Sequence, residues 1–440
     1  MERKVGTVSR GIRCPIIREG DDMVKITVNS VIEAAESEGY ELRNRDVVAL
    51  TESIVARAQG NYATVDDIAT DIKNKFGENA TIGIIFPILS RNRFAINLRG
   101  IARGCKKIIL MFSYPSDEVG NSLLTYDQID EANVNPYSDV LSLKKYRELF
   151  GENKHEFTGV DYVSYYQSII EGEGTEVEII FANQAKTIID YTKNILTCDI
   201  HTRVRTKRLL KKFGAEVVYG LDDILTEPIN GSGYNKKYGL LGSNKATEES
   251  IKLFPDNCEK LVFDIQAEFF KKTGKYIEVM IYGDGAFKDP QGKIWELADP
   301  VVSPAYTIGL KGTPNELKLK YLADNDFKNL SGEELKEAIK NSIKAKDGSS
   351  LIGNMASQGT TPRQLTDLIG SLCDLTSGSG DKGTPIVHIQ GYFDNYTDWF
   401  FKPKRHLFGF SYAIKINKTI FHHSLGIKLR RWKDDWTNNT

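Results

Sequence analysis

Apolar positions along this chain fall into short blocks with two periods. VVALT, Val47 to Thr51, is a continuous apolar run that closes on polar residues. That is the pattern of a buried strand whose carboxyl end emerges into a site. Lys107 to Phe112 (KIILMF), Tyr276 to Tyr282 (YIEVMIY) and IVHIQGY after Pro385 read as further strands. Residues 12–34 read as a strand, a turn and a helix: Pro15-Ile16-Ile17 is the extended part and REGDD the polar turn. Asp21 or Asp22 then caps an amphipathic helix carrying Val24, Ile26, Val28, Val31 and Ile32. Thr64 to Phe76 is a predicted helix, with Thr64 and Asp67 spaced as a capping box. Arg93 to Ile96 reads as a strand, with INLRGIARG between it and KIILMF. One long helix is predicted from Thr247 to Lys272, with Gly274 as its stop. Charged helices follow over 312–347, and another helix runs from Thr361 to Leu375.

The 440 residues suit about three domains, or one core with a large insertion. Residues 121–235 differ from their flanks, being polar and rich in Tyr. Boundaries are therefore expected at 1–120, 121–235, 236–392 and 393–440. Within 121–235, RVRTKRLLKK carries Arg203, Arg205, Lys207, Arg208, Lys211 and Lys212 with no acid among them. A solvated helix face, an anion clamp and a nucleic-acid contact all fit that pattern. A strand is expected after Gly214. The last 41 residues hold nine Lys and Arg against two Asp, with Trp432 and Trp436, and read as a peripheral basic extension.

Charge and composition narrow the function classes. Lys and Arg number 58 and Asp and Glu 59, a net charge of −1, which argues against a nucleic-acid binder working by bulk charge. Apolar runs such as Ile82 to Leu89 fall far short of the roughly 18 residues that suggest a membrane span. The start, MERKVGTVSRGIRCP, shows no apolar signal-peptide core, so the cytoplasm is the expected location. Cys14, Cys105, Cys198, Cys258 and Cys373 are scattered and never form a CxxC pair, which argues against a disulfide framework or structural zinc. His422 and His423 are adjacent and on a strand would face opposite ways.

Three segments combine a strand or helix end, glycine and a carboxylate. Asp284 in IEVMIYGDGAF follows an apolar strand and lies between two glycines, a way to hold a divalent cation near phosphate; an ordinary turn has the same letters. TSGSGDKGTP, Thr376 to Pro385, places Gly378, Gly380, Asp381, Lys382 and Gly383 between a helix and a strand, where successive N–H groups can cradle phosphate. It is no Walker loop, and a connector fits it too. PSDEVGN supplies Asp117 as a candidate metal ligand and Asn121 as a polar contact, or is a plain loop. No GxSxG motif or other nucleophile–base arrangement is recognisable.

Taken in order, these segments resemble the coenzyme F-420:γ-glutamyl ligase family. GIRCPIIREGDDM resembles the family's opening, and RDVVALTESIVARAQG its DVVVVTSKIVSKAEG-type segment. YIEVMIYGDGAF resembles the strand ending in the S-D-T-x-G-R metal motif, and DLIGSLCDLTSGSGDKGTPIVHIQG the closing helix, nucleotide loop and strand. The resemblance covers roughly 5–120 and 236–392, leaving 121–235 and the tail without a counterpart.

The resemblance implies an α+β fold with mixed or antiparallel sheets flanked by helices, plus an inserted α/β segment. It implies a homodimer that binds GTP with manganese or magnesium and joins glutamate to a carboxylate of a small acidic acceptor. Gly11, Ile12 and Arg13 would touch nucleotide, with Glu52 and Ser53 beside it. Arg57 stands where the family has a lysine. Asp284 would hold metal, Gly285 would occupy the place of its threonine neighbour, and Gly378, Gly380, Asp381 and Gly383 would form the phosphate loop. The family's aspartate would fall near INLRGIARG, which holds no acid; Asp117 is the substitute, with Asn121 as the nearby amide. The departures leave two alternatives: a relative that binds nucleotide or another anion without ligating, and a different phosphate chemistry on the same fold.

Overall fold

In the computed structural model of the protein, VVALT is the middle strand of a five-stranded sheet. Val47, Val48, Ala49 and Leu50 are all buried because both faces of that sheet are covered. The structure describes residues 5–155, 158–283, 286–288, 295–297, 302–346, 351, 354–357, 364–377, 381–395 and 397, with backbone only for 286–288, 295–297 and 302–303.

Along the chain, the first part runs β1 (Val8–Ile12), α1 (Met23–Ser37), β2 (Val47–Thr51), α2 (Glu52–Ala58), β3 (Tyr62–Thr64), α3 (Val65–Phe76), β4 (Thr81–Ile85), α4 (Phe94–Arg103) and β5 (Lys107–Phe112). The middle part runs α5 (Tyr126–Glu131), β6 (Leu141–Ser142), α6 (Leu143–Phe150), α7 (Tyr162–Gly172), β7 (Glu176–Phe181), β8 (Asn194–Thr197), α8 (Arg203–Lys212) and β9 (Val217–Gly220). Then come β10 (Asn244–Lys245), β11 (Ser250–Lys252), α9 (Cys258–Thr273), β12 (Glu278–Gly283), the hairpin β13 (Ala286–Lys288) and β14 (Trp295–Leu297), and β15 (Val302–Tyr306). The last elements are α10 (Leu319–Tyr321), α11 (Gly332–Ala345), α12 (Leu365–Ser377) and β16 (Ile386–Gln390). Helices α10 and α11 belong to one compact unit, and everything from Thr7 to Lys318 and from Ser350 to Phe393 to another.

In the larger unit the five-stranded sheet has the order β1-β16-β2-β12-β15. On one face Val48, Leu50 and Ile281 pack with Val28 and Val31 of α1 and Val262, Ile265 and Phe269 of α9. On the other, Val47, Ala49 and Met280 pack with Ile369 and Cys373 of α12. One end of this sheet is locked by a buried pair, His388 Nε2 and Asp46 Oδ2, 2.9 Å apart. The second main sheet has the order β6-β7-β5-β4-β8-β9. Its strands are parallel except β6, and helices α3, α4, α7 and α8 cover it. The fold is thus α+β with mixed sheets. The chain leaves for the parallel layer after β3 and comes back through β11, which pairs antiparallel with β3. A boundary at 120 would cut this layer between β5 and β7, which pair along six residues.

Three local readings are corrected and one strand is added. Pro15–Ile17 is not a strand: proline has no N–H to give, Ile16 is 80% exposed, and the strand is Val8–Ile12, paired with β16. Arg93–Ile96 is not a strand but opens α4, which buries Phe94, Leu98, Ile101 and Ala102 at helical spacing. INLRGIARG is therefore helical, and Gly100 is there for packing: a Cβ on it would meet Ile68 Cβ of α3 at 2.6 Å. TIGII, passed over in the sequence, is the strand β4. The single helix expected over Thr247–Lys272 is a strand and a helix, divided by Pro255. Gly274 ends α9 in the left-handed conformation, φ 67°, as its sequence predicts. Asp22 caps α1, and the Thr64–Asp67 box caps α3.

Candidate active-site edge

Strand direction decides which residues meet. β2 and β12 are parallel neighbours with Thr51 opposite Tyr282, so both leave the sheet at the same edge. β16 runs the other way, with Ile386 opposite Leu50, and therefore starts at that edge. β1 is antiparallel to β16, and Ile12, at its end, faces Ile386. β15 starts there too, its Val302 opposite Gly283. Four segments far apart in sequence thus converge: Gly11–Arg13, Glu52–Ser53, the end of β12, and the Asp381–Pro385 segment leading into β16. The carboxyl ends of parallel strands are the usual ligand edge of such sheets. Asp284 and Gly285, next in the chain after Gly283, lie outside the described residues, as do Gly378 and Gly380.

The segment before β16 is held by backbone contacts. The Thr51 N–H donates to the Pro385 carbonyl at 3.0 Å. Thr384 Oγ1 donates to the Ser377 carbonyl at 2.6 Å. Gly383 has φ 65°, a conformation that favours glycine. Ile12 is buried, while Gly11, Arg13, Asp381 and Gly383 are exposed. Ser53 and Arg57, four residues apart on α2, are both exposed and share one helix face. Two exposed cations, Arg13 and Arg57, are thus available to an anion.

Glu52, at the first position of α2, is buried against an unforeseen partner. Lys252 Nζ lies 3.2 Å and 3.3 Å from its two carboxylate oxygens, and each residue is only 8% exposed. Burial pushes the Lys252 ammonium down from its usual range, against the opposing pull of Glu52. The sequence carried a faint signal for Lys252: a lone lysine between Ile251 and Leu253, just ahead of Pro255.

Asp117 and Asn121 lie in the loop after β5, in the parallel layer. Asp117 Oδ2 accepts from the Leu89 N–H and from Asn121 Nδ2, each at 2.8 Å. Its Oδ1 accepts from the N–H groups of Val119 (3.0 Å) and Asn121 (2.8 Å). Burial pushes this carboxyl up, against those hydrogen bonds. With four donors on two oxygens, Asp117 organises its own loop and ties it to the connection between β4 and α4 through Leu89, and the expected metal role is not supported by its geometry. Among the described residues, no group of three or more His, Cys, Asp and Glu side chains could hold a metal ion. The described residues thus do not by themselves compose a divalent-cation site. The basic segment does form a helix, α8, but Arg203 and Lys207 are spent on Asp222 and Asp223. Among the described residues, no helix is long and apolar enough to cross a membrane.

A search among curated proteins returns no match. A family model described as F420-0:Gamma-glutamyl ligase matches residues 11–391, a span that contains all four segments meeting at the sheet edge. The chain belongs to the F420-0:γ-glutamyl ligase family.

Proposed function

We propose that this protein is a nucleotide-dependent amide ligase, which joins glutamate or a similar amino acid to a carboxylate of a small acidic acceptor at the expense of GTP. What supports the reading is one observation: in a member of this ligase family, Gly11–Arg13, Glu52–Ser53, the end of β12 and Asp381–Pro385 share one sheet edge. The acceptor carboxylate would attack the γ-phosphorus, breaking its bond to the bridging oxygen and releasing GDP. The amine would then attack the acyl phosphate, lose a proton and expel inorganic phosphate. Most of the rate would come from holding these groups together and neutralising phosphoryl charge.

In this reading the exposed Arg13 and Arg57 offer cations to the phosphates, Gly11 touches nucleotide through its backbone, and Gly383 lets the backbone come close. Asp284 is the proposed ligand for manganese or magnesium, which would supply further charge neutralisation. The protein is taken to act as a homodimer in the cytoplasm. A second reading, a relative that binds nucleotide without ligating, is favoured by one observation: both oxygens of the Asp117 carboxylate are occupied, by three donors of its own loop and by the Leu89 N–H from the connection between β4 and α4.

A thermal-shift screen with GTP and ATP, each with Mn²⁺ or Mg²⁺, on wild type and Asp284→Ala tests the proposal. Metal-dependent stabilisation lost in the variant is the expected result. Turnover stimulated jointly by an amine and an acid separates ligase from binder. No response to either nucleotide overturns both readings.

A further inference from the structure

We propose that Tyr282 is a positioning residue of this edge: its hydroxyl closes a hydrogen bond to Ser377 when nucleotide loads the segment before β16, and so ties the end of β12 to the end of α12. The inference rests on the nucleotide-dependent reading above. Side chains of β12 alternate, Val279 and Ile281 toward α1 and α9, Met280 and Tyr282 toward α12. Tyr282 thus faces α12 two residues before Asp284, the proposed metal ligand. Its partner across the ladder is Thr51, whose N–H holds the Pro385 carbonyl.

The ring of Tyr282 has an obvious place, packed with Ile369 and Cys373 and 1% exposed. Its hydroxyl does not. Among the described residues Tyr282 Oη has no hydrogen-bond partner, and solvent does not reach it. A buried hydroxyl in that state costs free energy that a phenylalanine would not. Burial pushes the phenol up, and Cys373 and Asp374 push the same way, while Ser377 pulls it down. These three neighbours lie in the last five residues of α12. Ser377, 3% exposed, gives its own proton to the Asp374 carbonyl at 3.3 Å and keeps lone pairs on Oγ to accept with. Its carbonyl takes the Thr384 hydroxyl at 2.6 Å, and Thr376 beside it bonds Ser9 of β1 at 2.7 Å. Ser377 is therefore where the segment before β16 is fastened to α12. An anion drawn onto Asp381–Pro385 pulls on that fastening. A small movement of the last turn of α12 then brings Ser377 Oγ onto the Tyr282 hydroxyl. A polar group unmatched in the free protein and matched in the complex lowers stability when the site is empty and raises affinity when it fills.

The test is the Kd of GTP with Mn²⁺ by calorimetry, together with the Tm without ligand, on the full chain as wild type, Tyr282→Phe, Ser377→Ala and the double variant. Tyr282→Phe should weaken binding about three- to tenfold, the worth of one neutral hydrogen bond. Its Tm should equal or exceed that of wild type, because the free protein loses no bond. Ser377→Ala should weaken binding by a similar factor. The double variant should be no weaker than the weaker single one, because both remove the same bond. A purely structural role would lower the Tm of Tyr282→Phe and leave its Kd unchanged, and that result overturns the proposal. So does a double variant whose loss is the product of the two single losses. If Tyr282→Phe does not fold, the hydroxyl serves the free protein, and the proposal is overturned again. Should wild type bind neither GTP nor ATP, the nucleotide reading fails and this inference with it. A wild type that binds nucleotide beside an unaffected Tyr282→Phe refutes this inference alone.

Discussion

Thr384 stands against the α-carbon of Gly11. A β-carbon added at Gly11 would lie 3.0 Å from Thr384 Cβ and 3.1 Å from its Oγ1. Thr384 is β-branched, and its hydroxyl is tied to the Ser377 carbonyl. It cannot turn away without giving up that bond. Contact with the segment before β16, rather than backbone torsion, is thus what selects glycine at the end of β1.

Gly11→Val should therefore lose about 2 kcal/mol of stability by overpacking, and Gly11→Ala less. Chemical denaturation checks the values. Nucleotide binding should weaken in the folded variant, because Thr384 and Pro385 are pushed aside. A valine variant as stable as wild type would show that this segment yields freely.

Asp117 makes a sharper distinction between a loop organiser and a metal ligand. Asp117→Asn places an NH₂ group where the carboxylate now accepts two N–H bonds. The expected loss is about 2 kcal/mol, measured by denaturant unfolding. Any metal dependence of nucleotide binding should persist in the folded variant. Loss of metal dependence with stability intact would restore Asp117 as a ligand.

The contrast between Asp117 and Glu52 shows what the sequence displays and what it hides. Val47–Thr51, Glu278–Gly283 and Ile386–Gln390 were legible because strands buried on both faces must be continuously apolar. Their polar ends were legible as site material for the same reason. Caps were legible because Thr64 and Asp67, or Asp22 and Lys25, are three residues apart. Short amphipathic runs were not. Arg93–Ile96 fits either period until Leu98 and Ile101 are seen to pack. Partners distant in sequence were hidden altogether. Lys252 meets Glu52 only through the β3–β11 pairing, and the four donors on Asp117 exist only once its loop has closed and packed against Leu89.

Glu173 joins α4 to the end of α7 and sets an acid limit. Its two oxygens take Arg99 Nε at 2.5 Å and Arg103 Nε at 2.8 Å. Burial pushes the Glu173 carboxyl up, but the hydrogen bonds from Arg103 and Arg99 outweigh it and hold it below the usual range. A carboxyl lowered on folding contributes stability that is complete above the unfolded value, about 4.3, and is lost as pH falls through the folded value. Glu173→Gln should cost about 1 to 2 kcal/mol at pH 7. The cost should shrink as pH falls below that unfolded value, until the two curves converge in acid. Tm against pH for both proteins reads this directly, and parallel curves would sink the idea.

Glu118 explains how so basic a helix as α8 is begun. Thr202, its N-cap residue, makes no side-chain cap. Arg203 and Arg205 in the first turn put positive charge at the positive end of the helix dipole. Glu118, from the loop after β5, reaches across and accepts from three successive amides. Ile200 N–H donates at 2.6 Å, His201 N–H at 3.0 Å and Thr202 N–H at 2.7 Å. Three N–H groups on one carboxylate form an anion nest filled from within the chain. Glu118→Gln keeps the shape, removes the charge and turns an NH₂ toward at least one of the amides. It should lose about 1 to 2 kcal/mol, the range of a lost charged cap. Amide hydrogen exchange at 200–202 should speed up by more than exchange in β5 or β8. Part of the loss is electrostatic, so the gap between wild type and variant should narrow as salt rises. An unchanged gap would assign the whole effect to geometry, and unchanged exchange at 200–202 would remove Glu118 as the cap of α8.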